Sequence, residues 1–240
     1  MPVPSESQVV YLPYEDRTQT AREIPGYPRS LTRTPLQPLI RRPLTLSELT
    51  GPTGLERKLK VGDSDLSRAL AGGLRALGQL IQICGCVLDE DGSPVAGAVV
   101  EVWQANAAGK YIHEYDKTDS PIDPNFTGTG RMLSDQDGRF EFLSIKPGAY
   151  PVPESDWWWR PPHIHFSIFG PNWMSRLVTQ MFFPGDPLNQ SDLLLTSVKD
   201  EEARQRLIAQ LLPTKVGANN FLQFSHALVL RGRRSTPPLD

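Results

Sequence analysis

The chain has 240 residues, of which 39% are hydrophobic, enough for one sizeable core. Its 25 basic and 27 acidic side chains leave a formal net charge of −2, which excludes a charge-driven partnership with nucleic acid or an anionic membrane. The first residues do not show the basic segment followed by an apolar segment that is typical of a secretory signal. No apolar run approaches the roughly 20 residues that span a bilayer. We therefore expect a soluble cytoplasmic protein.

Residues 1–79 are predicted to form an extended arm and a short helix that pack on the body or on a partner subunit. Prolines recur through the first 50 residues and interrupt both helices and strands, so at most one helical turn is expected there, near "TLSEL". The tyrosines and aliphatic residues of the arm argue against a disordered tail. In the following "SDLSRALAGGLRALGQL", Ser and Asp can cap a short helix, which Gly72 and Gly73 weaken.

Residues 80–240 are predicted to form a β-sandwich. "QICGCVLDEDGSPVAGAVVEVWQA" and "RMLSDQDGRFEFLSI" each contain two strands joined at an Asp-Gly turn. Further strands are predicted in "HIHFSIF", "RLVTQMFF" and "FLQFSHALVLRG", and a helix is predicted in "SVKDEEARQRLIAQLL". Many short strands, turns and few helices indicate a mainly β fold.

The two cysteines, Cys84 and Cys86, lie two residues apart in a predicted strand. Neighbours on one strand are poorly placed to form a disulfide, and no second pair is present to complete a zinc site. We interpret them as structural thiols, since free cysteines are often buried.

"RPPHIHFSIFG", residues 160–170, contains two of the four histidines of the chain. Because side chains alternate along a strand, His163 and His165 share one face as neighbours. This geometry suits a single zinc, copper, iron or nickel ion. A pair of hydrogen-bonded histidines on a half-exposed strand is the alternative, and the motif alone leaves both open.

Common partners for two histidines fit this sequence poorly. A zinc site of three histidines would need His113 or His226, which lie in unrelated contexts. A site of two histidines and one carboxylate would need an acid close to the motif, and the next acid is Asp186.

Two tyrosines are better candidates to complete a metal site with the histidine pair. Tyr111 and Tyr150 each follow a glycine-containing turn at the end of a predicted strand, where loops converge on a site. Phenolate is a hard anionic donor that suits Fe(III). Taken singly, each tyrosine is better explained as a core residue with a hydrogen-bonded hydroxyl. Together with the histidine pair, they favour a ferric site.

Four motifs in order resemble the intradiol ring-cleavage dioxygenases, above all the iron-binding chains of the protocatechuate branch. They are "EVWQANAAGKY", "DPNFTGTGRMLSDQDGRFEFLSIKPGAYP", "WRPPHIHFSI" and "LVTQMFFPGDP". The likeness runs from residue 80 to the end and extends more loosely into the arm. It implies one non-haem Fe(III) per chain, with Tyr111, Tyr150, His163 and His165 as ligands and O2 as co-substrate.

The resemblance also implies roles around the metal. Arg160, Tyr150 and Gln180 correspond to catalytic positions: Arg160 stabilises negative charge on the bound ring, and Tyr150 takes up a substrate proton. Val152 and Leu194, together with Arg160, correspond to substrate-binding positions.

Three departures from the family pattern leave the substrate open. Val152 replaces a tryptophan, Phe182 replaces a frequent tyrosine, and a run of three tryptophans, Trp157–Trp159, stands where one is expected. None of them alters a predicted ligand. A valine opens space beside the ring and removes a stacking face.

The activity implied is intradiol cleavage of a catecholic acid, most simply protocatechuate to 3-carboxy-cis,cis-muconate. Catechol, hydroxyquinol or another substituted catechol is the alternative substrate. A homologous alpha chain in a hetero-oligomer is the expected partner, because homodimeric relatives carry a longer helical linker; a homo-oligomer is the alternative. A transthyretin-like binding module is a rival of a different class, and it would not need the two tyrosines and the histidine pair together.

Overall fold

The computed structural model describes residues 16–35, 37, 54–70, 72–170, 176–213 and 221–230. These residues contain ten strands: β1 Leu80–Asp89, β2 Val99–Trp103, β3 Thr129–Leu133, β4 Arg139–Ile145, β5 Tyr150–Pro151, β6 Trp159–Arg160, β7 His163–Phe169, β8 Arg176–Phe182, β9 Gln210–Leu211 and β10 Leu222–Leu230. Their α-helices are α1 Pro28–Arg33, α2 Leu193–Ser197 and α3 Glu201–Arg206. Short 3-10 turns lie at Asp16–Thr18, Leu55–Lys58 and Pro187–Gln190.

The strands form two four-stranded sheets and a separate two-stranded ladder. One sheet has the order β4-β1-β10-β9 and the other the order β3-β2-β7-β8, while β5 pairs with β6. Strand β1 runs parallel to β10, and the other pairings are antiparallel. The two predicted Asp-Gly turns both carry glycine at positive φ, 81° at Gly92 and 72° at Gly138.

The core lies between the two sheets. On β4, the rings of Phe140 and Phe142 each lie 6.2 Å from the ring of Phe166 on β7. The inward residues of every long strand are buried because alternate side chains face the opposite sheet. Burying one such phenylalanine contributes about 1.5–3 kcal/mol. The predicted β-sandwich is confirmed.

The helix predicted over residues 64–80 is wrong for the part of this segment that the structure describes. The carboxylate of Asp65 accepts hydrogen bonds from both the backbone N and the hydroxyl of Ser67, and so closes a turn. Leu66 N donates to the carbonyl of Leu143 on β4, and the side chain of Leu66 enters the core. Bonding to the sheet edge and burial of Leu66 therefore replace helical hydrogen bonds.

The helix predicted in "SVKDEEARQRLIAQLL" is only partly correct. Helix α3 ends at Arg206, because Leu207 O and Ala209 N bond to the backbone of Phe182 at the end of β8. Gln210 and Leu211 then pair with β10 as the edge strand β9. The apolar residues of this stretch belong to the sandwich edge and not to one face of a helix.

The described part of the arm bonds to the body. Asp200 N donates to Arg17 O, and Ala21 N donates to the hydroxyl of Ser197. The turn predicted at "TLSEL" lies outside the described residues. Leu66 and Ala76 belong to the same core as the strands, and the division into residues 1–79 and 80–240 stays a prediction.

Within the described ranges, no helix is long and apolar enough to cross a membrane.

The two cysteines are free and half-buried, as predicted. The glycine between them, Gly85, lies beneath a phenylalanine of the neighbouring strand: a Cβ added to it would lie 2.0 Å from Cζ of Phe140. Gly85→Ala is therefore expected to destabilise the fold by about 1–3 kcal/mol, because a buried ring must move. Urea denaturation measures this, with Cys84→Ala as the matched control on the same strand. Equal unfolding midpoints for the two variants would contradict the close packing.

Candidate active site

The ends of strands β2, β5, β6 and β7 meet at one cavity of about 300 Å³, and β8 pairs with β7 beside it. Register brings Trp103 on β2 opposite His165, and His165 opposite Gln180 on β8. In the small ladder Tyr150 lies opposite Arg160. Strand pairing thus assembles side chains that are far apart in the sequence.

The two histidines lie side by side, as the alternation of strand side chains predicts. Their Nε2 atoms are 3.2 Å apart. Nδ1 of His163 lies 2.7 Å from the carbonyl of Pro161, which can only accept, so this nitrogen donates and Nε2 keeps its lone pair. Burial, and then the charge of Arg160, lower the pKa of His163 well below its usual value and that of His165 to about 3. Both imidazoles are therefore neutral and fit to bind a metal ion.

The two tyrosines meet the histidines in the same place. The hydroxyl of Tyr150 is 3.4 Å from Nε2 of His163. The rings of Tyr111 and Tyr150 are 5.3 Å apart and nearly perpendicular. Burial raises the pKa of both phenols, most strongly that of Tyr111, to which the neighbouring Tyr150 also contributes. Burial outweighs the opposing effect of the Arg160 charge on both pKa values, so both tyrosines are in the phenol form in the absence of a metal ion.

The donor set fits a hard cation. The buried hydroxyl of Tyr111 has no hydrogen-bond partner in the described part of the chain, which is costly for a polar group. The lone pair of His163 Nε2 lies beside the hydroxyl of Tyr150, 3.4 Å away. Among the described residues no group of three or more His, Cys, Asp and Glu side chains could hold a metal ion. A cation here would therefore depend on the tyrosines, and phenolate oxygen with imidazole suits Fe(III).

Arg160 is buried and held from two sides. Its Nε donates to Oδ2 of Asp192 at 2.6 Å, and its Nη2 donates to Oε1 of Gln180 at 2.6 Å. The amide nitrogen of Gln180 lies 3.4 Å from Nδ1 of His165. The predicted catalytic residues Arg160, Tyr150 and Gln180 thus lie within one connected group.

Two of the three predicted substrate-binding residues, Val152 and Arg160, line the cavity, and Leu194 does not. Val152 is buried and lines it beside Trp158, whose carbonyl accepts a hydrogen bond from Val152 N. Leu194 lies on α2 and lines a neighbouring cavity. Of the three tryptophans only Trp158 is buried, at 1% exposure, and its ring packs edge-on against Tyr27 of the arm at 5.2 Å.

A buried ion pair supports Tyr111. Nζ of Lys110 lies 3.1 Å from Oδ1 of Asp116, and both side chains are 10% exposed. The other carboxylate oxygen of Asp116 accepts a hydrogen bond from Tyr111 N at 2.8 Å. Burial alone would raise the pKa of Asp116, but hydrogen bonds from Thr118, Tyr111 N and Lys110 outweigh it and hold the pKa below its usual value.

Asp116→Asn is expected to destabilise the fold by about 3 kcal/mol, because Lys110 remains buried without its counter-ion. Since the folded pKa of Asp116 is lowered, its stabilising effect is present above about pH 4 and is lost as the pH falls through the folded pKa. Denaturant titrations at pH 7 and pH 3 measure both effects. Asp137→Asn, which changes an exposed ion pair with Arg139, is the control and should shift stability by no more than about 0.5 kcal/mol. Equal shifts for the two variants would contradict the supporting role.

Several residues of the site were not predicted from the sequence. Trp103 stacks on His165 with ring centroids 4.8 Å apart; its place in an alternating strand gave no sign of this. Tertiary packing brings Asp192 to Arg160, and the loop that follows Tyr111 brings Asp116 to Lys110. His226, which was expected to be unrelated to the site, packs against Phe166 in the core at 5.8 Å. His113, for which the same was expected, is exposed but lines the cavity.

The chain was compared with known proteins. A family model described as Dioxygenase matches residues 50–232. The protocatechuate 3,4-dioxygenase beta chain of Burkholderia cepacia is 43% identical over 232 residues, which cover 97% of this chain and 98% of that relative. The 6-chlorohydroxyquinol 1,2-dioxygenase of Cupriavidus pinatubonensis (strain JMP 134 / LMG 1197) is 38% identical over 144 residues, which cover 54% of this chain and 50% of the relative.

A solved structure supports the same fold. The crystal structure of 3-chlorocatechol 1,2-dioxygenase from Rhodococcus opacus 1CP superposes with a TM-score of 0.54 at 23% identity, covering 72% of this chain and 66% of that one. The family match and the long alignment favour an enzyme over a transthyretin-like binding module. The chain belongs to the intradiol ring-cleavage dioxygenases.

Proposed function

We propose that this chain is the iron-binding subunit of a dioxygenase that opens a catechol ring between its two hydroxyl-bearing carbons, with Fe(III) held by Tyr111, Tyr150, His163 and His165. The observation that carries the proposal is the convergence of two phenol and two neutral imidazole side chains at one place, where Tyr111, Tyr150, His165 and Arg160 line a cavity and His163 lies directly behind Tyr150 and His165. When bound there, Fe(III) would draw electron density from a catechol and so prepare its ring for reaction with O2.

The protein side chains have separate tasks in this proposal. The neutral histidines offer lone pairs, and the hydrogen bond to Pro161 orients His163. The hydroxyl of Tyr150 lies beside His163 at the cavity, where it would hold a proton released by a catechol hydroxyl. The guanidinium of Arg160, which lines the cavity, stabilises negative charge that develops on the ring.

Protocatechuate is the substrate that we propose. The relative that aligns over nearly the whole chain is named for protocatechuate cleavage. A cavity of about 300 Å³ suits a single aromatic ring. Arg29 also lines this cavity, and its charge is compatible with a ring that bears a carboxylate. Catechol and hydroxyquinol are the alternatives, because Val152 departs from the family pattern and relatives named for hydroxyquinol cleavage also match.

We also propose a homologous alpha chain as the partner in a hetero-oligomer. The support is the alignment to a beta chain over 97% of this chain, arm included. A homo-oligomer is the alternative. Co-expression with and without an alpha chain, followed by size-exclusion chromatography, distinguishes the two.

The colour of the purified protein tests the metal assignment. Charge transfer from tyrosinate to Fe(III) is expected to give a red-brown solution, and oxygen uptake with protocatechuate, catechol and hydroxyquinol in parallel then ranks the substrates. A colourless protein that contains stoichiometric iron would exclude the tyrosine ligands. A coloured protein that consumes no O2 with any of the three would exclude the proposed reaction.

A further inference from the structure

Two aspartates in neighbouring positions of the fold cap successive short helices. Oδ1 of Asp192 accepts a hydrogen bond from Leu195 N at 2.8 Å at the start of α2. Oδ1 of Asp200 accepts one from Ala203 N at 2.8 Å at the start of α3. The capping geometry is the same, and a cap needs only one carboxylate oxygen and no deep burial. Asp200 is accordingly half-exposed.

Asp192 differs from Asp200 in its surroundings. It is 0% exposed, and its second oxygen receives Nε of Arg160 at 2.6 Å. Burying a carboxylate is costly unless an opposite charge and hydrogen bonds compensate. The capping role alone does not account for an aspartate at a position where burial of its charge costs so much free energy.

The contacts continue from Asp192 towards the metal site. Arg160 donates to Oε1 of Gln180 at 2.6 Å, and the amide nitrogen of Gln180 lies 3.4 Å from His165. Arg160 lines the cavity, whereas Asp192 is not among the lining residues. Asp192 therefore makes no contact with a ring bound in the cavity, and its hydrogen bond to Arg160 is its direct link to the lining.

We propose that Asp192 is a positioning residue that fixes Arg160 at the cavity and anchors it to helix α2. The charge-assisted bond to Nε leaves the other end of the guanidinium in contact with Gln180. Without the carboxylate, the long arginine side chain has other rotamers available, and its charge is no longer fixed relative to the ring. This inference rests on the proposed function.

The test compares Asp192→Asn with Asp200→Asn as a matched control, because asparagine caps helices as well as aspartate. Asp192→Asn is expected to lower kcat for ring cleavage by about 10²-fold, the cost of a misplaced catalytic group, with a much smaller change in KM. The visible spectrum and iron content should match those of the wild type, since no ligand changes. Asp200→Asn is expected to keep the wild-type kcat.

A double-mutant cycle separates positioning from a merely structural role. In an Arg160→Ser background, Asp192→Asn is expected to cause no further loss of kcat, because no arginine remains to be positioned. The same fractional loss in both backgrounds would overturn the proposal, as would a wild-type kcat for Asp192→Asn.

Folding of the single variant does not limit the test. If Asp192→Asn alone fails to fold, the double variant, in which no buried charge is left unpaired, is compared with Arg160→Ser alone. Equal activities support the proposal, and a further loss of activity contradicts it; the melting temperature of the double variant should be the higher of the two, because Arg160→Ser alone leaves Asp192 buried without its counter-ion. Iron-loaded wild-type protein that consumes no O2 with any catechol contradicts the proposed function and this role with it. An active wild type with additive losses contradicts the role of Asp192 alone.

Discussion

Tyr150→Phe is expected to lower kcat by about 10²–10⁴-fold, the usual contribution of a positioned proton acceptor. Phenylalanine keeps the ring that packs against Tyr111 and His163 but removes the oxygen that lies 3.4 Å from Nε2 of His163. The visible band of the iron-loaded protein should also change, because one of two tyrosinate donors is lost. Stopped-flow kinetics and absorption spectra measure the two effects.

Tyr111→Phe is the informative comparison for this prediction. It removes the buried hydroxyl that has no hydrogen-bond partner in the described residues, so the apoprotein should not lose stability through a broken hydrogen bond. The iron-loaded spectrum should nevertheless change. If neither variant alters the visible spectrum, the assignment of both tyrosines as iron ligands is wrong.

Arg160→Ser is expected to lower kcat by about 10²–10³-fold, the typical loss when one preorganised electrostatic partner is removed. The red-brown colour should largely persist, because serine at this position leaves all four proposed ligands in place. Thermal stability should fall as well, since Asp192 is then buried without its counter-ion. Kinetics are therefore recorded after circular dichroism has shown native secondary structure.

The control for Arg160→Ser is Arg131→Ser. Arg131 forms an ion pair with Glu101 at 2.7 Å on the exposed face of β2 and β3, and its loss should change neither kcat nor colour. A colourless Arg160→Ser protein would instead indicate that Arg160 is required for iron binding. An unchanged kcat would show that Arg160 takes no part in the reaction.

Much of the sandwich could be predicted from local pattern. Alternating apolar residues and Asp-Gly turns mark strands because side chains on a strand alternate between core and solvent. The same rule placed His163 and His165 on one face, and their Nε2 atoms are 3.2 Å apart. Tyr111 and Tyr150, which lie 39 residues apart, each follow a glycine-containing turn at a strand end, and the resemblance to a family then implied both as ligands.

The helical predictions failed where tertiary contacts compete with local propensity. Leu66 and Leu207 lie in stretches with helix-like composition, yet their backbones bond to Leu143 and Phe182 at the sheet edges. Helix propensity amounts to less than about 1 kcal/mol per residue. A few hydrogen bonds to a sheet edge and the burial of one leucine outweigh it.

The sequence by itself determined the long strands, the turns, the paired histidines and the family, because each depends on residue order along one segment; it did not predict the two-residue strands β5, β6 and β9. Only the tertiary structure decided the partners: Asp192 for Arg160 across 32 residues, Trp103 for His165 across two strands, and Trp158 beside Val152. Buried charges and rings are stabilised by whatever the fold brings within contact distance. No spacing in the sequence encodes that distance.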